Sequence, residues 1–130
     1  MNDPIETWHE FVRSREPALL DGLLADDVVF ESPVVFTPQR GKAITTKYLH
    51  AAVSLLGAES FTYVGTWTAP LSAVLEFTAV VDGITLNGVD LITWNAAGKI
   101  THFKVMVRPL QGLNMLHRKM GELLAASIAS

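Results

Sequence analysis

A chain of 130 residues with no cysteine has the length of one domain, spanning 1–130, and can bury roughly two-thirds of its unfolded surface without a covalent staple. The missing thiols exclude disulfides, thiolate metal sites and cysteine nucleophiles, and suit a reducing cytoplasm. A net charge of −3 with no block of Lys or Arg argues against a nucleic-acid partner, and no apolar run reaches the ~18 residues of a membrane span.

Hydrophobic residues make up 49% of the chain and charged residues 18%. This is apolar for so small a domain, and points to a lined cavity, a buried subunit interface, or both. The opening MNDPIETWHE is acidic and polar, unlike a signal peptide.

Asp3-Pro4 reads as an N-cap and first helical position. Ile5, Trp8, Phe11 and Val12 then share one helical face. Glu16-Pro17 restarts a helix carrying Leu19, Leu20, Leu23 and Leu24, which ADD at 25–27 ends. VVFES is a short strand with Val28, Phe30 and Ser32 on one side, and Pro33 and Pro38 frame a loop. A third helix runs from about Lys42 to Leu56 and stops at Gly57.

The composition then turns to β-branched and aromatic residues: FTYVGTWT, SAVLEFTAVV, ITLNGVDLITW and KITHFKVMVRP. Asp82-Gly83 marks a tight hairpin, and NAAGK a longer one with Gly98 at a position needing positive φ. A last helix starts near Gln111, with a stripe of Leu113, Leu116, Met120, Leu123 and Leu124. Helices first and a strand meander second make an α+β domain, its helices covering one face of a curved antiparallel sheet. Met106 and Ile92 are expected on the other face, covered by a second subunit.

Asp90 is the singular residue, one carboxylate within the apolar LNGVDLITW. Its orientation turns on the hairpin that follows. A four-residue loop, Asn95 to Gly98, sets Asp90 opposite Phe103 and faces it inward. A three-residue loop, Ala96 to Gly98, sets it opposite Lys104 as an outer ion pair. Both loops can end with a left-handed glycine, and the cost of a buried charge favours the ion pair.

LLADDVVFESPVVFTPQRGKAITTKYL followed by GVDLITWNAAGKITHFKVM resembles the nuclear transport factor 2-like superfamily. The similarity is to its branch of ketosteroid isomerase and SnoaL-like polyketide cyclases, and runs from about Trp8 to Arg108. The resemblance implies a cone of helices over a curved sheet (a cystatin-like roll), with a pocket at the wide end and often a dimer. It places the isomerase's protonated, oxyanion-binding aspartate on Asp90, which faces that residue inward and selects the four-residue loop. Pocket positions of the last strand fall on Phe103, Val105 and Val107, the general-base aspartate on Ser32, and the oxyanion-hole tyrosine on Trp8. Serine is no base near neutral pH without a partner, and an indole N–H lacks the acidity of a phenol. One of three catalytic groups is thus retained.

The expected site has Asp90 as a neutral hydrogen-bond donor, its carboxyl pKa raised by burial. Trp8, Phe30, Ser32, Tyr48, Phe77, Phe103, Val105 and Val107 line the pocket around it. No second carboxylate joins it by patterning, because Glu31 and Glu76 alternate outward. No histidine stands out as a base, no spacing makes a metal site, and no cofactor motif is present. Three functions compete: an isomerase, cyclase or dehydratase of small hydrophobic carbonyl compounds; a non-catalytic binder of such ligands; and a dimerisation domain, for which the cone would be filled.

Overall fold

The computed structural model describes residues 3–57 and 60–129, with side chains to residue 125. Four helices and six strands follow in the order α1 (Pro4–Ser14), α2 (Pro17–Leu23), β1 (Leu24–Glu31), β2 (Gln39–Arg40), α3 (Lys42–Leu56), β3 (Thr62–Ala69), β4 (Ser72–Val81), β5 (Ile84–Trp94), β6 (Ile100–Arg108) and α4 (Leu110–Ala129). The strands form one curved, open sheet in the order β2-β1-β6-β5-β4-β3. The α+β, cystatin-like expectation holds, with one refinement: β1 runs parallel to β6, and the other pairs are antiparallel.

Local chemistry sets the helix ends. The Asp3 carboxylate accepts from Ile5 N–H at 2.9 Å and Pro4 occupies the first turn, a cap worth about 1 kcal/mol. Its apolar face buries Ile5, Trp8 and Phe11. ADD does not end α2 as expected; the strand begins at Leu24. A register irregularity between Leu24 and Val29 lets Asp26 and Asp27 reach water while Val28 and Phe30 turn inward.

The inner sheet face carries Ala73, Leu75, Phe77, Ala79 and Val81 of β4, Leu86, Asp90 and Ile92 of β5, and Ile100 and Phe103 of β6, all buried. Ile92, expected outside, is therefore a core residue, because it shares the parity of Asp90. Met106 does face outward and is exposed. Helices α1, α2 and α3 pack on the narrow part of this face around Phe11, Leu20, Leu49 and Phe103. Helix α4 closes a second cluster with Leu86, Met115 and Leu116, against which Val107 and Leu56 pack. Gly112 permits that approach, since a Cβ there would stand 2.1 Å from Leu86 Cδ2.

The β5–β6 hairpin departs from the expected register beyond its loop. Asn95 N–H donates to the Lys99 carbonyl and Gly98 N–H to the Asn95 carbonyl, each at 2.9 Å, and Gly98 takes φ +79°. This is the three-residue loop, which alone would face Asp90 outward. Past Trp94↔Ile100, however, the register shifts to Thr93↔His102, leaving Thr101 as an extra residue on β6. A one-residue bulge inverts every side chain beyond it relative to the partner. Asp90 therefore lies opposite Val105, with Ile92 opposite Phe103. The inward orientation is as expected; its cause is the bulge and not a four-residue loop.

Candidate functional site

Asp90 is buried, at 6% exposure. It lines a cavity of ≈50 Å³ between α1, α3 and the inner sheet face, together with Trp8, Phe61, Tyr63, Phe77, Phe103 and Val105. Gly88, one inward position along β5, makes room for the Phe77 ring, whose Cζ would lie 2.5 Å from a Cβ there. The Trp8 indole packs on Phe11 and Phe103, with ring centroids 5.6 and 4.8 Å away.

A hydrogen-bonded chain threads these rings. Trp8 Nε1–H donates to the Tyr63 hydroxyl at 2.9 Å, and the Tyr63 hydroxyl donates to Asp90 Oδ2 at 2.8 Å. Asp90 Oδ1 has no hydrogen-bond partner among the described residues. Burial pushes the Asp90 carboxyl up to about 7, against a smaller downward pull from the Tyr63 bond. Burial, reinforced by the Asp90 charge, also holds the Tyr63 phenol well above its ordinary value, so Tyr63 remains a donor at neutral pH. The arrangement is an acid of near-neutral pKa, held through one oxygen by Tyr63.

A second cavity of ≈230 Å³ adjoins the first, lined by Phe30, Ser32, Val34, Tyr48, Val105, Val107, Leu116, His117 and Met120 among others. The nine anticipated residues thus divide. Asp90, Trp8, Phe77 and Phe103 line the inner chamber; Ser32, Tyr48 and Val107 line the outer; Phe30 and Val105 line both. Ser32 Oγ accepts from Val34 N–H at 3.0 Å, stapling the turn at Pro33. The Tyr48 ring lies on Phe30, centroids 5.4 Å apart.

Tyr63 is the cavity-lining side chain, bonded to Asp90, that sequence reasoning missed. From Trp67, which is exposed, strict alternation would send Gly65 and Tyr63 outward as well. A register break between Tyr63 and Gly65 turns Tyr63 inward, opposite Phe77. His9 sets its ring edge-on to Tyr63 at 5.0 Å, and burial lowers its pKa. Glu31 faces outward as expected and pairs with His102 on the same face, with Lys104 3.6 Å from the same carboxylate. Among the described residues no group of three or more His, Cys, Asp or Glu side chains gathers as a metal site, and no helix is long and apolar enough to cross a membrane.

The SnoaL-like domain family matches residues 5–103. No curated protein matches the chain. Among solved structures, a steroid delta-isomerase from Pseudomonas aeruginosa is 34% identical, with 98% of this chain and 93% of that one covered and a TM-score of 0.91. A protein with a cystatin-like fold from Silicibacter pomeroyi is 27% identical over 100% of this chain and 88% of its own, with a TM-score of 0.83. An NTF2-like protein from Mesorhizobium loti shares the fold at 20% identity, covering 82% and 88% of the two chains with a TM-score of 0.70. The chain, matched by the domain over most of its length and carrying the fold throughout, belongs to the SnoaL-like family of the nuclear transport factor 2-like superfamily.

Proposed function

We propose that this chain binds a small apolar carbonyl compound and that neutral Asp90 donates a hydrogen bond to its oxygen, favouring enolisation in an isomerase, cyclase or dehydratase reaction. The observation that carries the reading is Asp90 itself: a buried carboxyl, held through one oxygen by Tyr63, with its other oxygen unpaired beside a cavity of apolar walls. In such walls a hydrogen bond to a developing oxyanion is stronger than in water and needs no solvent reorganisation. The similarity to a protein named as a steroid delta-isomerase supports carbonyl chemistry.

Protonation makes the reading testable. Below pH 7 Asp90 is mostly neutral and donates; above it the carboxylate repels a carbonyl oxygen. Affinity for 4-phenylbut-3-en-2-one, measured by calorimetry, falls about tenfold between pH 6 and pH 8, as loss of a neutral donor with a pKa of about 7 requires. Asp90→Asn keeps a donor and abolishes that pH dependence, whereas Asp90→Leu weakens binding about tenfold. A wild-type profile that is flat from pH 6 to 8 sinks the reading.

A second reading, binding without turnover, is favoured by one feature. Asp90 and Tyr63 are the titratable side chains of the inner chamber among the described residues, and neither is paired with a base. Deuterium exchange at the carbon beside the bound carbonyl, followed by NMR, separates the two: enolisation exchanges that position and simple binding does not.

For assembly, we infer a homodimer through the outer sheet face. Trp67, Val80 and Met106 are exposed there, with Val74, Val89 and Leu91 between them on the same face. Met106→Glu, placing a charge on that surface, should shift the sedimenting species to a monomer; an unchanged mass at all concentrations removes the inference. The absence of cysteine suits a reducing cytoplasm, where we place the chain.

A further inference from the structure

The division of the cavity restricts the shape of the guest. Phe30 is 2% exposed and stands between the chambers, its ring 5.4 Å from Tyr48 on the outer side and 6.2 Å from Phe103 on the inner side. Phe30, Ala52, Leu56 and Val105 line both chambers, so any passage between the two runs along these side chains. The inner chamber holds ≈50 Å³. A dry cavity that takes a benzene ring needs about 150 Å³, which the outer chamber of ≈230 Å³ exceeds.

We propose that the neck of Phe30 and Val105 selects ligands with an exocyclic carbonyl, an aldehyde or methyl ketone, on a slender body of one ring or a short chain, and rejects fused-ring ketones. The carbonyl passes the neck to reach Asp90. The ring or chain remains in the outer chamber against Val107, Leu116 and Met120, within reach of Ser32, Tyr48 and His117. The Tyr48 hydroxyl, without a hydrogen-bond partner among the described residues, is available to a polar substituent at the far end of the guest. A fused polycyclic ketone would have to bring the whole carbonyl-bearing ring through the same constriction, where a methyl ketone brings only its acetyl group. The selection rests on the reading of Asp90 as the carbonyl anchor.

The test is calorimetric binding of two probes to the full chain at pH 6: 4-phenylbut-3-en-2-one as the slender ketone and androst-4-ene-3,17-dione as the fused one. Wild type should bind the slender probe at least about tenfold more tightly. Phe30→Ala opens the neck and should tighten the steroid by about tenfold while changing the slender probe less than about threefold. Val105→Ala, a smaller excision, should move both probes in the same directions by less, and carries the test if Phe30→Ala does not fold. Asp90→Leu should weaken the slender probe about tenfold. Equal wild-type affinities, both lowered by Asp90→Leu, overturn the neck and leave the anchor. Slender selectivity that Phe30→Ala or Val105→Ala erases but Asp90→Leu does not touch keeps the neck and overturns the anchor. No binding of the slender probe at millimolar concentration overturns both.

Discussion

Asp90 and Glu31 lie on opposite faces of one sheet, and their carboxyls titrate in opposite directions. Asp90 looks inward, loses its water and receives one hydrogen bond, so burial lifts it to about 7. Glu31 looks outward between His102 and Lys104, and the bond from His102 is the main cause that lowers it. The contrast shows that the character of a carboxylate in this fold is decided by the face it occupies, and the face by the register of a few backbone hydrogen bonds. Tyr63 completes the lesson, since it too reaches the inner face through an irregularity in its strand.

The most severe way to break the contrast is to delete Thr93. With β5 one residue shorter beyond Trp94, Asp90 moves into the place of Leu91 and meets Lys104, as Glu31 does now. The buried side chains of β5 must then turn outward, among them Leu86 and Ile92. At roughly 1.5–3 kcal/mol per side chain this approaches a typical total stability of ~5–15 kcal/mol. The deletion should leave no cooperative thermal transition by circular dichroism. A folded deletion variant with Asp90 still buried would show that the β5–β6 register does not set the orientation.

A gentler approach reads the contrast from stability against pH. The Asp90 pKa is raised in the folded state, so the folded chain holds a proton that the unfolded chain has released. Its contribution is fully present below the unfolded value of about 4 and is lost as pH rises through about 7. The loss is on the order of 4 kcal/mol. Asp90→Asn should remove this slope in urea unfolding between pH 4 and pH 8. The smallest effect belongs to Glu31→Gln. The lowered Glu31 pKa stabilises the fold above the unfolded value and is lost only as pH falls through the folded one. Its surface position limits the cost to about 1 kcal/mol or less. A Glu31→Gln variant with the larger change over this range would reverse the ranking of the two acids.

Much of the architecture was readable from local signals. Asp3-Pro4 marked the start of α1, Lys42 to Gly57 bounded α3, and Asp82-Gly83 formed the turn between β4 and β5, where Val81 pairs with Ile84. These features depend on φ preferences and capping within a few residues. The faces of long regular strands were readable too, so Phe103 and Phe77 point inward and His102 outward. Two kinds of information were missing. Alternation cannot foresee a bulge, because an inserted residue such as Thr101 resembles its neighbours in composition. Parallel pairing of β1 with β6 joins segments about 70 positions apart, a choice made by the packing of the whole sheet and not by either strand.

The amino-acid sequence determined the inventory: one apolar α+β domain, a single carboxylate in its strongest β segment, and a set of aromatic residues able to enclose it. It determined these because propensity, capping and hydrophobic periodicity act over short spans. Tertiary structure alone decided that Tyr63, itself bonded by Trp8, would hold that carboxylate, that Phe30 would line both cavities, and that Asp90 rather than Lys104 would face inward. Each of those outcomes depends on the register between distant strands, where a shift of one residue exchanges the dry face for the wet one.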